Sequence, residues 1–514
     1  MLVKTYGYAV QGICAQKITI ETNIVGGINF YLVGLPDNAV KESQQRISSA
    51  LRNNNFKWPG KQITINMAPA DVRKEGSAYD LAIAISILSA SNQIKTTEFS
   101  NVALMGELAL DGKIRPVKGA LSMALQAKED GFSSMLLPQE NVEEAAIVEG
   151  IKVFGVSTLN EVIELFNMNM PTEKAHELNI SAKFQSFQSQ TELDFNDVCG
   201  QESIKRSFEI AAAGGHNVIL IGPPGAGKTM LSRRLPTILP PLTLEESLEA
   251  TKIHSVAGKS NQKTYGLVVH RPFRSPHHTI SDVALVGGGN QPQPGEISLA
   301  HNGVLFLDEL PEFKRTVLEV LRQPMEDRIV TINRSKFNVT YPSSFMLIAS
   351  MNPCPCGYYN HPEKDCVCPP GAVQKYLNKI SGPLMDRIDL HVEVTPVSFN
   401  ELSKKQKGES SLTIRERVLK ARKIQQKRYI DREGIYCNAQ MNSKDLSNYC
   451  QLDESSVTLL KTAMDKLGLT ARAFDRILKV SRTIADLDSS DTIQSHHVAE
   501  AIQYRSLDRQ NWAG

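Results

Sequence analysis

The sequence predicts an α/β protein whose central part, residues 193–395, folds as a parallel sheet with helices on both faces. Short apolar runs such as Val218–Ile221 are typical of buried strands. Helix-like segments separate these runs, and this alternation favours parallel strands joined by crossover helices. Two of the runs end in polar or glycine-rich segments, at Gly222–Thr229 and at Asp308. Open parallel sheets bind ligands at this edge, so the same pattern predicts where the functional site lies.

Composition limits the class of protein. The chain has 514 residues, of which 41% are hydrophobic and 22% are charged, as in ordinary globular proteins. Its net charge of +2 neither requires nor excludes nucleic acid, because binding surfaces can be local. Residues 1–16 lack the apolar segment of a signal peptide, and the longest apolar run, Leu81–Leu88, is too short to cross a bilayer. We therefore expect a cytoplasmic protein without a membrane partner.

Residues 1–170 mix strand-like and helix-like segments, which predicts a separate α+β domain. The strand-like segments are Lys17–Thr22, Phe30–Val33, Gln62–Met67 and Met135–Pro138, and the helix-like segments are Ala39–Arg52, Leu81–Leu88 and Lys118–Ala127. Residues 171–192 are polar and contain several Gln and Ser residues, so we predict a linker between this domain and the central one.

The segment Gly222–Thr229 matches the phosphate-binding motif G-x-x-x-x-G-K-[ST] at every fixed position. Its glycines let backbone N–H groups converge on a phosphate chain. Lys228 supplies a charge for the β- and γ-phosphates, and the Thr229 hydroxyl can ligate Mg²⁺. We therefore predict a nucleoside triphosphate and Mg²⁺ at this loop. The predicted binding residues are Gly222, Pro223, Pro224, Gly225, Ala226, Gly227, Lys228, Thr229 and Asp308.

Two further strands supply candidates for hydrolysis. The apolar run that starts at Val304 ends in Asp308 and Glu309. Asp308 would hold Mg²⁺, and Glu309 would orient and deprotonate the attacking water. The strand Phe345–Ser350 is followed by Asn352, which we assign to the attacking water or the γ-phosphate. A lone Asp-Glu pair is usually an ordinary strand end, but its position after a phosphate loop favours the catalytic interpretation.

Two arginines are candidates for further contacts with the nucleotide. Arg387 is flanked by acidic residues, so it is either part of a surface ion pair or, as in ring ATPases, a residue that reaches the γ-phosphate of a neighbouring subunit. Arg472 lies in the first turn of an amphipathic helix that starts at Thr470, from which it could touch the nucleotide. Arg476, one turn later, is expected to pack or to form an ion pair.

Residues 396–514 are predicted to be helical throughout and to form a lid. The segment Thr413–Tyr429 is rich in Lys and Arg. It is either a solvated helix face or a second nucleic-acid surface. The adjacent His496 and His497, at a helix start, are expected to be polar surface.

Two insertions interrupt the central region. Residues 263–298 are basic and turn-rich and are predicted to be unsuited to a packed core. Residues 328–341 are predicted to form a hairpin with Arg328, Arg334 and Lys336 on or near it. Both could be plain surface loops, although long loops within a domain are usually functional. A basic hairpin facing the pore of a ring would suit a phosphate backbone, so these three residues are candidates for DNA binding.

Four of the eight cysteines lie within residues 354–368 as two Cys-x-Cys pairs. Two such pairs can converge as a tetrathiolate for Zn²⁺. Free thiols or a disulfide are the alternatives. The candidate zinc ligands are Cys354, Cys356, Cys366 and Cys368.

Two segments of the first domain, Arg73–Ala84 and Gly106–Gly119, resemble the protease domain of the Lon family, within the ribosomal-protein-S5-like fold. That family uses a Ser–Lys dyad. Here Ala78 takes the position of the nucleophilic serine, and Leu121 takes the position of the catalytic lysine. The domain therefore lacks both a nucleophile and an amine to activate it, and we predict a structural or regulatory role.

The whole chain resembles the magnesium-chelatase-like branch of the AAA+ ATPases, specifically the ComM (YifB) competence protein family. The motifs that carry this resemblance are Arg271–His278, Gly287–Gly289, Met351–Gly357 and Ala471–Arg482. The resemblance implies a homo-hexameric ring that hydrolyses ATP, translocates on single-stranded or branched DNA, and migrates DNA branches during DNA uptake and recombination. Two alternatives stay open: a chelatase-type subunit that remodels a metal-inserting enzyme, and an ATP-dependent peptidase or unfoldase.

Overall fold

The computed structural model describes residues 2–94, 99–176, 184, 193–259, 266–289, 292–334, 337–359, 361, 363–396, 408–432 and 434–505. Contacts within the chain define two units. The first comprises Met1–Phe187 and Leu244–Val269, and the second comprises Gln188–Thr243 and His270–Gly514. Most of the predicted linker, residues 177–183 and 185–192, lies outside the described residues. The predicted domain limits at 170, 192 and 395 stay predictions.

The described strands are numbered along the chain. They are β1 Leu2–Gln11, β2 Cys14–Val25, β3 Phe30–Val33, β4 Gln62–Ala68, β5 Val102–Leu104, β6 Glu107–Leu108, β7 Ile114–Arg115, β8 Ser134–Pro138, β9 Lys152–Val156, β10 Val218–Ile221, β11 Phe273–Arg274, β12 Gly287–Gly288, β13 Gln293–Pro294, β14 Val304–Leu307, β15 Ile329–Arg334, β16 Phe337–Pro342, β17 Met346–Met351 and β18 Leu390–Glu393.

The described helices are numbered in the same way. They are α1 Asn38–Lys41, α2 Ser43–Asn53, α3 Asp80–Ala90, α4 Ala120–Glu129, α5 Val142–Ala145, α6 Leu159–Asn167, α7 Glu202–Gly214, α8 Lys228–Arg234, α9 Leu244–Val256, α10 Asp282–Val286, α11 Glu296–Leu299, α12 Arg315–Glu319, α13 Arg322–Asp327, α14 Ala372–Leu377, α15 Gly382–Met385, α16 Ser411–Arg428, α17 Ser443–Tyr449, α18 Glu454–Leu467, α19 Ala471–Leu487 and α20 Ser495–Gln503. None of them is long and apolar enough to cross a bilayer.

The first unit is built on a mixed seven-stranded sheet in the order β3-β4-β2-β1-β5-β8-β9. Strands β1 and β2 form its longest antiparallel pair, from Leu2 opposite Asn23 to Gln11 opposite Cys14. Helix α3 is buried along its whole length, as expected for a helix that is apolar on all sides. The four predicted strand-like segments and the helix-like segment Leu81–Leu88 are confirmed. The predicted helix 39–52 forms two helices, α1 and α2, and the one predicted from residue 118 begins at Ala120. Strand β1 was not predicted.

Helix α9 belongs to the first unit, although its residues lie between two segments of the second. The Ser255 hydroxyl donates a hydrogen bond to the Glu144 carboxylate. A Cβ atom on Gly258 would meet Lys118 Cε at 3.2 Å, so the turn after the helix also lies close to the first unit. Residues 244–269 therefore complete the first unit from a distant part of the sequence.

The second unit is built on a five-stranded sheet in the order β11-β14-β17-β10-β18, in which every neighbouring pair is parallel. Val218 lies opposite Ile348, and Val304 lies opposite Met346. The predicted parallel sheet is confirmed. Because the strands are parallel, the segments that follow β10, β14 and β17 meet at one edge.

The first predicted insertion contributes to this core, so the prediction that residues 263–298 are unsuited to a packed core is wrong for its described part. Strand β11 pairs with Val304 and Leu305 as the edge strand of the sheet. Leu285 and Ile297 are fully buried. Turn residues separate these apolar side chains in the sequence, so they form no regular helix or strand period.

The remaining parts of the second unit follow the sequence closely. Strands β15 and β16 pair from Ile329 opposite Pro342 to Arg334 opposite Phe337, which confirms the predicted hairpin. The described C-terminal region is helical, as predicted. Helix α19 begins after Thr470, whose side-chain oxygen accepts a hydrogen bond from the Ala473 N–H at 3.2 Å.

Candidate nucleotide-binding site and cysteine cluster

The phosphate loop forms a closed turn between β10 and α8, with Lys228 folded back over it. The Lys228 ammonium donates hydrogen bonds to the carbonyl oxygens of Gly222 at 2.6 Å and Pro223 at 2.9 Å, and to Asn352 Oδ1 at 3.0 Å. Asn352 follows β17, so the strand register brings it to the loop. The structure thus places two of the predicted site residues in direct contact.

The environment of this ammonium group disfavours its charged form. Burial lowers the pKa of Lys228 to about 8, although the carboxylates of Asp308 and Glu309 oppose this change. A phosphate chain in the loop would add further negative charge beside the amine and would favour its protonated form.

Thr229 and Asp308 lie side by side at the start of α8. The Thr229 hydroxyl donates to Asp308 Oδ2 at 2.7 Å. The other carboxylate oxygen, Oδ1, accepts hydrogen bonds from the Ser350 hydroxyl and, at 3.1 Å, from the Glu309 N–H. A hydroxyl and a carboxylate are ligands that Mg²⁺ prefers, so this pair fits the predicted role.

Ser350 is a site residue that the sequence reasoning missed. It is fully buried at the end of β17, and its hydroxyl also accepts a hydrogen bond from the Glu309 N–H at 3.3 Å. It thereby fixes both members of the Asp-Glu pair. The signal available in the sequence was a hydroxyl residue at the second-to-last position of an otherwise apolar strand.

Glu309 stands at the rim of this cluster. Its backbone has a φ of 55°, in the left-handed region that non-glycine residues seldom adopt. Its carboxylate is 57% exposed and lies 3.8 Å from Nδ1 of His278, measured from Oε2. The predicted catalytic carboxylate therefore has a fixed backbone and an accessible side chain.

A second polar cluster connects the C-terminal helix α19 to the sheet. Asn217 donates its backbone N–H to Asp389 Oδ2 at 2.9 Å and accepts from the Leu347 N–H at 2.8 Å. Asp389 is buried and pairs with Arg476 at 2.9 Å, which confirms the ion pair expected for that arginine. Burial alone would raise the pKa of Asp389, but Arg476, His216 and the Asn217 N–H together hold it well below its usual range.

Arg387 is largely buried within its own chain. Its guanidinium donates to the Pro383 carbonyl at 2.6 Å and pairs with Glu326 at 2.6 Å. Its Nε atom has no partner among the described residues. The contacts correspond to an intramolecular ion pair, and a role towards a neighbouring subunit stays a prediction.

Arg472 has a more open position on the first turn of α19. Its side chain is largely exposed, and its nearest recorded partner is Asp386 Oδ2 at 3.7 Å. The predicted contact between Arg472 and a nucleotide stays a prediction.

The predicted DNA-binding residues are only partly described. Arg328 ends helix α13 with a φ of 56° and donates to the Gly434 carbonyl at 3.1 Å. It therefore lies at the base of the hairpin, and burial lowers its pKa. Only the backbone of Arg334 is described, and Lys336 lies outside the described residues.

The cations of α16 fall into two groups. Arg417 pairs with Glu209 and Glu409, and Arg428 pairs with Asp486. By contrast, three lysines spaced along the helix are exposed and have no recorded partner in the described part of the chain: Lys420, Lys423 and Lys427. The arginines are structural, whereas the lysine face still fits either of the two predicted interpretations.

The four clustered cysteines converge as the sequence predicts. Their sulfur atoms all lie within 4.8 Å of one another. Cys354 Sγ is 3.3 Å from that of Cys356 and 3.7 Å from that of Cys366. The Gly357 N–H donates to Cys354 Sγ at 3.2 Å, as backbone amides do to thiolate ligands of metals. This donor set fits a tetrahedral zinc ion.

A second group of potential ligands, which contains Asp488, His496 and His497, does not fit a metal. His497 Nδ1 accepts a hydrogen bond from the Gln494 N–H at 2.9 Å, so its Nε2 carries the proton and faces Asp488 at 3.3 Å. The expectation that both histidines are polar surface is wrong for His497. Its side chain is buried because it caps helix α20.

In the first unit, the two positions that we predict to correspond to a Lon-type dyad, Ala78 and Leu121, carry apolar side chains. Leu121 is fully buried, and its backbone N–H donates to Glu144 Oε1 at 2.9 Å. The nearby Ser77 hydroxyl donates to the Glu107 carboxylate instead of to an amine. This arrangement offers no described lysine in contact with Ser77.

Comparisons with known proteins agree with this picture. Three family models match in order along the chain: subunit ChlI of Mg-chelatase over residues 20–141, magnesium chelatase subunit ChlI over residues 194–402, and its C-terminal part over residues 408–505.

Full-length relatives are also found. The chain is 42% identical to competence protein ComM of Haemophilus influenzae over 99% of this chain and 98% of the relative. It is 44% identical to the uncharacterized protein YifB of Escherichia coli over 98% and 96% of the two chains. Lon protease 2 of Bacillus subtilis is 30% identical over 136 residues, which are 26% of this chain and 24% of the protease.

The AAA+ family implies ATP and Mg²⁺ as ligands, and the contacts among Lys228, Thr229 and Asp308 fit both. The similarity covers nearly the full length of both chains, so it includes the first unit and the C-terminal helices as well as the nucleotide site. The chain therefore belongs to the ComM/YifB family of magnesium-chelatase-like AAA+ proteins.

Proposed function

We propose that this protein is a cytoplasmic, homo-hexameric motor that couples ATP hydrolysis to movement along single-stranded or branched DNA. The observation that carries the proposal is the convergence of Lys228, Thr229, Asp308 and Asn352 beside an accessible Glu309. This arrangement supports the proposal because phosphoryl transfer to water needs a phosphate cradle, metal ligands and a carboxylate base, and these side chains suit those roles.

The residues divide the work of hydrolysis. Backbone N–H groups of the loop and Lys228 bind the β- and γ-phosphates, while Thr229 and Asp308 would hold Mg²⁺, which neutralises phosphate charge when bound. Glu309 accepts a proton from water as the water oxygen attacks the γ-phosphorus. The bond between that phosphorus and the bridging oxygen breaks, and ADP and phosphate leave. Asn352 orients the water or the γ-phosphate.

The DNA part of the proposal rests on the relative named as a competence protein and on the distribution of cations. Strand β15 of the hairpin ends at Arg334, and Lys336 follows two residues later in the sequence. On α16, the three exposed lysines at positions 420, 423 and 427 lie at helical spacing. Both groups of cations would suit a phosphate backbone, to which lysine and arginine bind without regard to base sequence.

Ring assembly would give Arg387 a catalytic role. Its guanidinium would exchange Glu326 for the γ-phosphate bound by the neighbouring subunit and would neutralise charge in the transition state. If so, Arg387→Ala and Glu309→Gln subunits are each inactive alone. A mixture of the two recovers hydrolysis, because some interfaces then contain one intact Glu309 and one intact Arg387. Absence of recovery in verified mixed rings would contradict this assignment.

We further propose that the four cysteines hold a structural zinc ion. Their sulfur geometry and the amide donors to Cys354 support this. Because Asn352 lies two residues before Cys354, the ion would fix the loop that carries Asn352 next to Lys228. Its role would be to hold a site residue in place, without taking part in hydrolysis.

The deciding experiment measures ATP hydrolysis by the full chain with no DNA, with single-stranded DNA and with a four-way junction, alongside junction unwinding. We expect DNA to accelerate hydrolysis and the junction to be processed, with DNA binding that weakens steeply as salt increases. Lys228→Ala should remove nucleotide binding and serves as the background control. A hydrolysis rate that no form of DNA changes would refute the proposed DNA motor but not the proposed ATPase activity.

A second candidate is a remodelling subunit of a metal-inserting enzyme. The observation that favours it is that all three matching family models describe magnesium chelatase subunit ChlI. This function predicts stimulation of hydrolysis by a large tetrapyrrole-binding partner and none by DNA. A peptidase is disfavoured because Leu121 stands buried where the catalytic lysine would be.

A further inference from the structure

The motif around His277 and His278 has no role in the proposed function so far, yet it lies beside the predicted base. Strand β11 neighbours β14 in the parallel sheet, so the segment after Arg274 runs at the same edge as Asp308 and Glu309. His278 Nδ1 is 3.8 Å from Glu309 Oε2. Among the described residues it is the only cationic or imidazole side chain recorded within 4 Å of that carboxylate.

The imidazole ring of His278 is held on two sides. The ring of His277 lies against it with centroids 4.1 Å apart. The ring of Phe313 meets it edge to face at 6.4 Å and 78°. Phe313 is itself buried and directly follows the single helical turn Leu310–Glu312 that starts after Glu309. The two rings leave the polar edge of His278 turned towards Glu309.

Glu309 needs such a partner because hydrogen bonds fix only its backbone and leave its side chain free to rotate. Its N–H is held by Ser350 and Asp308, but its exposed carboxylate can occupy several rotamers. A base that accepts a proton from the attacking water must point one oxygen at that water. A contact to the other oxygen would restrict the rotamers to those that do so.

We propose that His278 is a positioning residue for the predicted base: it engages one carboxylate oxygen of Glu309 and leaves the other for the attacking water. The inference rests on the proposed ATPase function and deepens it. The 3.8 Å separation is longer than a hydrogen bond, so the contact shortens when nucleotide completes the site. His278 acts through Glu309 and touches neither phosphate nor water.

Two substitutions separate this role from simple packing. His278→Phe keeps a ring against His277 and Phe313 but removes the polar edge. His278→Asn removes the ring but keeps a polar atom near the position of Nδ1. For His278→Phe, we expect kcat to fall about 100-fold, the effect of a base displaced by about 1 Å, with KM for ATP unchanged. For His278→Asn, we expect much of the kcat to return.

The measurement is steady-state ATP hydrolysis by the full chain, with ATP affinity and melting temperature determined for each variant. Any outcome in which Asn performs no better than Phe overturns the proposal, because the polar atom would then not matter. Loss of ATP affinity in both variants also overturns it, since a structural role would explain that result. If the wild-type chain itself hydrolyses no ATP, the proposed function fails first, and the two failures are distinguishable.

Discussion

The lowered pKa of Lys228 predicts that ATP binding takes up a proton and weakens as pH rises. In the free chain, burial sets this pKa at about 8. The bound β- and γ-phosphates favour the ammonium and raise the pKa again. At pH 8, about half of the free chains carry a neutral Lys228, so binding takes up about half a proton per site. The apparent Kd for MgATP should increase about 10-fold between pH 7 and pH 9, with most of the change above pH 8.

The assay is calorimetric titration of a hydrolysis-deficient Glu309→Gln chain with MgATP, in buffers of different ionisation enthalpy at constant ionic strength. The number of protons taken up follows from the dependence of the observed heat on the buffer. Lys228→Arg is the matched control, because a guanidinium stays charged throughout this range and its affinity should not vary with pH. A constant affinity for the lysine form from pH 7 to pH 9, or proton release on binding, would refute the reasoning.

Three further predictions concern the base, the cysteines and the buried ion pair. Glu309→Gln should bind MgATP normally but hydrolyse it at least about 100-fold more slowly, because an amide accepts no proton; quench-flow measurement of normal turnover would disprove this. The purified chain should contain about one zinc ion by elemental analysis, lost in Cys356→Ser and retained in Cys199→Ser, and equal metal content in the two variants would argue against the site. Arg476→Met should lower the free energy of unfolding by about 3 kcal/mol in denaturant titrations, because it removes the arginine partner of the buried Asp389 carboxylate. An effect below about 0.5 kcal/mol would contradict a buried pair.

Much of the nucleotide site could be predicted because its signals are local. The loop motif, the apolar strands and the polar residues that end them are each contained in a few consecutive residues. The parallel arrangement then follows from the alternation of strands and helices, and it brings Lys228 to Asn352 and Thr229 to Asp308. The clustered cysteines were predictable for the same reason.

The residues that were missed depend on register between distant segments. Ser350 is one hydroxyl in an apolar strand, and its importance comes from its position beside Asp308. Asn217 precedes the phosphate-loop strand, but its recorded hydrogen-bond partners lie more than a hundred residues away: Leu347, Arg387, Asp389 and Leu390. Spacing along the sequence could not reveal either contact, because the strand order that creates them is a property of the folded sheet.

Helix α9 shows a different limit of sequence reasoning. Much of its buried face consists of small and hydroxyl residues, including Ser247, Thr251 and Ser255, so no apolar stripe marks that face. Each of these hydroxyl groups has its own hydrogen-bond partner. Ser247 donates to the Val268 carbonyl at 2.7 Å, the Val268 N–H donates to Thr251 at 2.9 Å, and Ser255 donates to Glu144.

Ser255 of helix α9 donates its hydrogen bond to a buried carboxylate of the first unit, Glu144. Glu144 is buried and also accepts the Leu121 N–H, at the position where a Lon-type enzyme would carry its lysine. Removal of residues 244–269 would take away the Ser255 hydroxyl and leave this carboxylate with one hydrogen-bond donor fewer. Both ends of that segment continue into the second unit. The first unit is therefore stabilised by a stretch of chain that is separated in the sequence from the rest of that unit.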